Sequence, residues 1–340
     1  MKVSDLTRYA LGICAVVAIL AGCGSQTPIG APGAMPQMRA NRQGPATNPN
    51  LYVANPGNNT VTVYAPGQTK VLRTISQGVS KPYALAFDGS GNLYVANATN
   101  VTVYAPGKTS VLRTISKGVS DPHALAFDGS GDLYVANENN TVTVYAKGSS
   151  KVLRKISKGV NSPDALTVGS AGYLYISNYG NNTVTEYAPG GTLVLRTISK
   201  GVSGPLGLAF DGSGNLYVAN YNNSTVTVYA PGKTSPLRTI SKGVNGPDAL
   251  AIDGSGDLYV ANELLADGTV TVYAPGGTSL LRTISKGVKG PDALAIGRAG
   301  YLYVANVYDN TVTEYAPGGT YVLRTISQGV SYPQALAFGP

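Results

Sequence analysis

Apolar positions recur along this chain in short bursts, not at helical spacing. Leu51-Tyr52-Val53-Ala54 is apolar on both faces, whereas Val61-Thr62-Val63-Tyr64 alternates. Leu72-Arg73-Thr74-Ile75 carries a charge, and Ala84-Leu85-Ala86-Phe87 has no polar alternation. Runs of this length, rich in Val, Thr and Tyr and bounded by Gly, Pro, Asn and Asp, predict β-strands. The Ala-Leu-Ala-Phe strand should be innermost, with small Ala side chains at a crowded axis. The Leu-Tyr-Val-Ala strand should follow, then the alternating strand, partly exposed, and the Arg strand on the outer rim. Asp88-Gly89-Ser90-Gly91 separates the two most apolar strands and supplies the residues of a tight hairpin. It has the spacing of an Asp-x-Ser-x-Asn calcium loop but lacks the closing Glu, so it reads as a turn.

The four-strand unit returns about every 42 residues. Leu-Tyr-Val-Ala-Asn begins at 51, 93, 133, 216, 258 and 302, and Leu174-Tyr-Ile-Ser-Asn178 makes seven copies. The third strands end at Tyr64, Tyr104, Tyr145, Tyr187, Tyr229, Tyr273 and Tyr315. Each unit carries an outer-strand arginine, from Arg73 to Arg324, and the Pro-x-Ala-Leu strands start between Pro82 and Pro333. Four short strands at a forty-odd period predict a propeller blade. The repeats open on the second strand and close on a lone first strand at Pro333 to Phe338. The expected fold is therefore all-β: a seven-bladed β-propeller of four-stranded antiparallel blades over 49–340, with three-plus-one closure of the N- and C-terminal strands. Closure removes open sheet edges, and a ring of this size buries roughly three-quarters of its unfolded surface.

The segment Pro82-Tyr83-Ala-Leu-Ala-Phe-Asp-Gly-Ser-Gly-Asn-Leu-Tyr-Val-Ala-Asn97 resembles the NHL repeat, and the resemblance covers residues 51–340. That family typically writes Asp where this chain has the final Asn97. The resemblance implies a propeller and says little about activity, because such folds host unrelated functions. Gluconolactonase-like and streptogramin-lyase-like propellers have a related blade pattern.

Composition narrows the chemistry. The 340 residues include 43 Gly, 21 Pro, 23 Tyr, no Trp and a single His, with 43% hydrophobic and 12% charged residues. The chain is too apolar for disorder, and helix formers are scarce. Cys14 and Cys23 are the only cysteines, which excludes a zinc cluster, a disulfide framework and a Cys–His dyad within the repeats. Lys2 and Arg8 precede the apolar run Ala10 to Leu20, which is too short to span a bilayer and reads as a signal peptide over 1–22. Leu20-Ala21-Gly22-Cys23 resembles a bacterial lipobox, which implies lipidation of Cys23 and a membrane anchor. Gly24 after it resembles outer-membrane sorting. Residues 23–48 then form the lipidated Cys and a Gly/Pro-rich flexible tether. The implied location is extracytoplasmic, at the outer membrane or cell surface, with the propeller a monomer.

The variable position x of Pro-x-Ala-Leu should ring one mouth of the central channel. It holds Tyr83, His123, Asp164, Leu206, Asp248, Asp292 and Gln334, a candidate ligand-binding set. Three converging Asp side chains suit a hard divalent cation, calcium or magnesium, although they could equally accept hydrogen bonds from loops. Metal ligands of gluconolactonase-like enzymes occupy comparable positions, so that resemblance implies Asp164, Asp248 and Asp292 as metal ligands in a lactonase-type hydrolase. Those enzymes have six blades and a further Glu ligand without a match here. His123 follows a Pro as in some streptogramin-lyase repeats, whose Trp-rich strand is missing. No catalytic residue is assigned. The repeated Asn ending each second strand, Asn55 to Asn306, should hold the following turn.

Residues 51–340 carry 21 basic and 16 acidic side chains, a net charge of +5. Lys117, Lys158, Lys200, Lys242 and Lys286 should make a sparse positive ring on the mouth face, with Tyr179, Tyr221 and Tyr308 in adjoining loops. An envelope glycan or protein fits this surface better than nucleic acid, from which an exported protein is separated. The sequence therefore points to a binding or scaffolding module at the cell envelope, with the metal-dependent hydrolase as the rival.

Overall fold

The computed structural model describes residues 49–263 and 268–340. The signal peptide, Cys23 and the tether expected over 1–48 lie outside the described residues. Among the described residues, twenty-eight strands form seven separate four-stranded sheets, each antiparallel throughout. A typical blade contains Pro122–Phe127, Leu133–Asn137, Thr141–Tyr145 and Val152–Ile156, from the innermost strand outward. The innermost strands of neighbouring blades contact one another around a closed ring.

The ring closes as the register expects. Asn50–Asn55 pairs with Thr60–Tyr64 on one side and with Ala335–Gly339 on the other. Asn50 lies opposite Gly339 and Ala54 opposite Ala335. The second strand and the last strand, some 280 residues apart, thus complete one blade and leave no inner sheet edge open.

Burial follows the expected gradient with one correction. The second strands are buried on both faces, and each outer strand leaves its Leu about half exposed, as at Leu72 and Leu281. The third strands were expected to be partly exposed, yet Thr62, Thr102, Thr227 and Thr271 are each 1% exposed. Adjacent blades cover both faces, and the Thr hydroxyls are held by hydrogen bonds. Asn97 Nδ2 donates to Thr102 Oγ1 at 3.0 Å and to Val95 O at 3.2 Å, while its Oδ1 accepts from Ser80 N at 3.0 Å. The repeated Asn therefore ties its own hairpin to the loop that enters the innermost strand, and the structural role inferred for it holds.

A second sevenfold device staples the blades. Tyr64, Tyr104, Tyr145, Tyr187, Tyr229, Tyr273 and Tyr315 are essentially inaccessible. Each hydroxyl donates at 2.6–2.7 Å to a backbone carbonyl in the crossover between blades, such as Gln77 O and Lys200 O. On the other side, an inner-strand Phe packs edge-on against the second-strand Tyr of the preceding blade. Examples are Tyr52–Phe87 at 4.9 Å and Tyr303–Phe338 at 5.2 Å between centroids.

The turns joining the two inner strands lie on the face opposite the Pro-x-Ala-Leu mouth. Asp88 Oδ1 accepts from Ser90 N and Asn92 N, both at 2.9 Å, which is the geometry of an Asx turn. Its Oδ2 reaches the Tyr94 hydroxyl, onto which Arg113 also folds. Blades four and seven lack this Asp: Gly169 and Gly297 replace it. There, a third-strand Glu supplies the carboxylate instead. Glu186 accepts from Arg196 Nε at 2.6 Å and Nη2 at 3.0 Å, and Glu314 accepts from Arg324 Nη1 at 2.5 Å. In six blades a carboxylate is thus kept for the Tyr–Arg pair, by two different routes. In the closing blade, with Gly339 at that position, the Pro340 carbonyl accepts from Tyr52 at 2.7 Å.

Candidate functional site

The innermost strands begin at one mouth of the channel, and there the seven blades differ most. The residue preceding each Pro is left-handed in all seven: Lys81, Asp121, Ser162, Gly204, Gly246, Gly290 and Tyr332, with φ between 43° and 57°. Most of these backbone amides are capped by a side chain from the neighbouring hairpin, as in Ser162 N to Asn140 Oδ1 at 2.6 Å and Tyr332 N to Asn310 Oδ1 at 2.7 Å. The repeated turn fixes where the next side chain but one enters the ring, so position x falls at one height in every blade.

The structure places the expected ring as follows. Asp248 is fully buried, and Asp292, Leu206, Gln334 and Asp164 are 2–7% exposed. Tyr83 and His123 are half-buried, with their rings 6.4 Å apart. His123 Nε2 lies 3.2 Å from Glu138 Oε2, and Nδ1 lies 3.9 Å from Asp164 Oδ1. Burial pulls the imidazole pKa down, but Asp164, Glu138 and Asp121 outweigh it and raise the value above the ordinary one. Asp248 and Asp292 are both raised well above the usual carboxylate range. The cause is burial first, then the repulsion of neighbouring acids, including Glu263 and Asp164.

Glu263 is a mouth residue at the repeat position that Tyr179 and Tyr221 occupy in other blades. Its blade has a longer hairpin, in which Asn262 pairs with Thr269; the equivalent pair elsewhere is Asn220 with Thr225. The Glu263 amide donates to Gly246 O at 3.0 Å, which sets the residue against the loop entering Asp248. Burial raises its carboxyl pKa despite a hydrogen bond from Tyr308, whose hydroxyl is 3.2 Å from Oε1. The same contact, after burial, pushes the Tyr308 phenol up to about 12.

Tyrosines rim this acidic patch. Tyr179 N donates to Ser162 O and Tyr221 N to Gly204 O, both at 3.0 Å, so both residues sit where the mouth loops meet. The Tyr308 ring occupies the space a Cβ would need at Gly290. Tyr332, left-handed at φ 55°, was not singled out by the sequence pattern, and Asp292 and Glu263 lie close enough to raise its phenol after burial has done so. The Lys residues expected around the mouth are exposed on the outer turns, where Lys286 Nζ lies 4.8 Å from the centre of the Tyr321 ring.

A divalent cation needs several oxygens converging at one point. Among the described residues, no three His, Cys, Asp or Glu side chains are arranged to hold a metal ion. Within the ring, Leu206 intervenes between Asp164 and Asp248.

The NHL repeat family model matches residues 203–229, which run from the loop entering the innermost strand Pro205–Phe210 through Tyr229. The chain is a seven-bladed β-propeller that carries an NHL repeat at these residues. Among solved structures, the propeller is similar to a functionally unknown protein from Desulfotomaculum acetoxidans, at 15% identity and a TM-score of 0.73, covering 86% of this chain and 99% of that one. It is also similar to the computationally designed Ika8 protein, at 19% identity and a TM-score of 0.66, covering 86% and 91%. The WD40 β-propeller domain of Doa1 matches at 16% identity and a TM-score of 0.68, covering 79% and 89%. At these identities the likeness is one of fold. No curated protein matches the chain.

Proposed function

We propose that the propeller is a lipid-anchored binding or scaffolding module at the cell envelope, with its ligand on the channel-mouth face. The observation that carries the reading is the contrast between blades and mouth. The strands, the Tyr staples and the Asn clamps repeat almost without change, while the seven x positions and the loops beside them carry His, Asp, Gln, Leu and Tyr. A scaffold that repeats its structural residues and varies one rim is built to present that rim.

The direction of the chain supports the anchoring. Asn50 lies at the end of its strand opposite the mouth, next to Gly339. A tether running back to Cys23 would leave from that face and turn the mouth away from the membrane.

Metabolic labelling with a radioactive fatty acid tests the anchor. The full chain should take up label and fractionate with membranes, and Cys23→Ala should do neither. Equal membrane association of the two proteins would overturn the lipid anchor. Blocking the mouth with a bulky substitution at exposed Tyr308 should abolish ligand capture. A matching change at Leu72 on the rim should leave it intact.

A further inference from the structure

Two seams of the ring share a floor but differ in what covers it. Between the fourth and fifth blades, Tyr175, Glu186, Ile198, Phe210, Leu216 and Tyr229 line a space of only about 10 Å³. Between the seventh blade and the closing blade, their counterparts Tyr303, Glu314, Ile326, Phe338, Leu51 and Tyr64 line a groove of about 270 Å³. The floors match in detail. Tyr175 meets Phe210 edge-on at 5.1 Å, and Tyr303 meets Phe338 at 5.2 Å. Glu186 and Glu314 each hold the arginine of their own outer strand.

The seams differ at one turn, on the face opposite the mouth. In the fifth blade, Asp211, Gly212 and Ser213 join the innermost strand Pro205–Phe210 to the second strand, and Gly214 closes the space. Asp211 Oδ1 accepts from Ser213 N and Asn215 N, both at 2.9 Å, which fixes that turn. The closing blade has no such hairpin, because its innermost strand Ala335–Gly339 and its second strand Asn50–Asn55 come from distant parts of the chain. Pro49 stands in the groove where Gly214 stands in the sister seam. The residues able to take the place of the turn are therefore those that run into Pro49. Tyr301 and Phe338, at the walls of the groove, are only half-buried by the described residues.

The sequence ahead of Pro49 suits this space. Gly44-Pro45-Ala46-Thr47-Asn48 carries no charge, and the nearest basic residue upstream is Arg42. Arg298 and Arg324 line the groove, so an uncharged segment meets no like charge there. Pro45 and Pro49 bias Gly44 and Asn48 toward extended backbone, and proline lowers the entropy lost when a segment is fixed. Five residues in that conformation span about 15 Å, and the peptide link to Pro49 holds them beside the groove at a high effective concentration. We propose that residues 44–48 dock along this groove as a strap that replaces the missing turn and seals the closing seam. The tether to Cys23 would then begin at Gln43. The strap concerns the seam alone and stands whether or not Cys23 carries a lipid.

Thiol reactivity of the full chain tests it. With Cys14→Ser and Cys23→Ser as background, single cysteines are introduced as Ala46→Cys, Thr47→Cys and, as an upstream control, Ala34→Cys. Extended backbone turns neighbouring side chains to opposite sides, so one of the first two should face the groove. That cysteine should react with N-ethylmaleimide at least tenfold more slowly than Ala34→Cys, and all three should react alike in urea. Replacing residues 44–48 by Gly-Ser-Gly-Ser-Gly should lower the melting midpoint by a few degrees, and deleting residues 27–41 should leave it unchanged. Equal rates at all three positions, with a melt that the replacement does not move, would overturn the strap. A deletion of 27–41 that costs as much as the replacement would overturn it too. So would a slow rate that dilution abolishes, which would give the groove to a second copy of the chain. Every variant in the thiol assay lacks Cys23, so failure of the strap and failure of the lipid anchor remain separate results.

Discussion

Tyr229 offers a clean measure of what holds neighbouring blades together. Its ring is 1% exposed, and its hydroxyl donates to Lys200 O at 2.7 Å in the crossover from the preceding blade. Tyr229→Phe keeps the ring and removes the staple together with the 3.2 Å contact to Thr227 Oγ1. A net intramolecular hydrogen bond contributes about 0.5–1.5 kcal/mol, and the abandoned carbonyl adds to the loss. The expected cost is therefore about 1–2 kcal/mol. Tyr229→Ala also opens a cavity and should cost about 3–5 kcal/mol, the usual range for large aromatic truncation. Urea unfolding of the full chain would read these values as shifts in midpoint at constant slope. Tyr64→Phe, in the closing blade and bonded to Gln328 O at 2.6 Å, should cost as much as Tyr229→Phe. The two should add in the double variant to within about 0.5 kcal/mol, because the sites are remote. If Tyr229→Phe costs nothing, or costs as much as Tyr229→Ala, the staple is not what couples the blades.

Three further outcomes follow from the same contacts. Asp248 and Asp292 keep their protons in the folded state at pH values where the unfolded chain has released them. Their contribution to stability should therefore be fully present below the ordinary carboxylate range and be lost as pH rises through their elevated values; thermal melts of Asp292→Asn should show a shallower decline with rising pH and a higher midpoint at pH 8. Glu186→Val should destabilise the fourth blade by about 1–3 kcal/mol, the lower part of the range for breaking a buried ion pair, because Arg196 is one-third exposed. Adding Gly169→Asp should restore much of the loss, since it recreates the carboxylate that the other blades use; a double variant as unstable as the single one would refute the exchange. Removing Ser331–Pro340 strips the innermost strand from the closing blade, and the shortened protein should melt earlier and aggregate, as light scattering would report; a melt equal to the intact chain would contradict the closure.

Much of the architecture was legible because the repeats record structural demands sevenfold. The Pro-x-Ala-Leu strand, the Leu-Tyr-Val-Ala-Asn strand and the lone last strand together imply both blade and closure, and the structure has both. The burial of Thr62 and its counterparts was misjudged, since alternation within one strand does not reveal that a second blade covers its polar face. The exchange of Asp for Glu186 and Glu314 was overlooked, although Gly169 and Gly297 mark the same two blades. Variation at position x located the mouth acids. It did not point to Glu263, although Glu263 follows Asn262 as Tyr221 follows Asn220, or to Tyr332, although Tyr332 aligns with Gly204, Gly246 and Gly290.

The account depends most on the ring being closed by strands far apart in the chain. A crystal structure of the full chain would test this directly. The account predicts Asn50–Asn55 and Ala335–Gly339 paired antiparallel in one sheet, with Asn50 opposite Gly339. These two strands in different sheets, or unpaired, would contradict it.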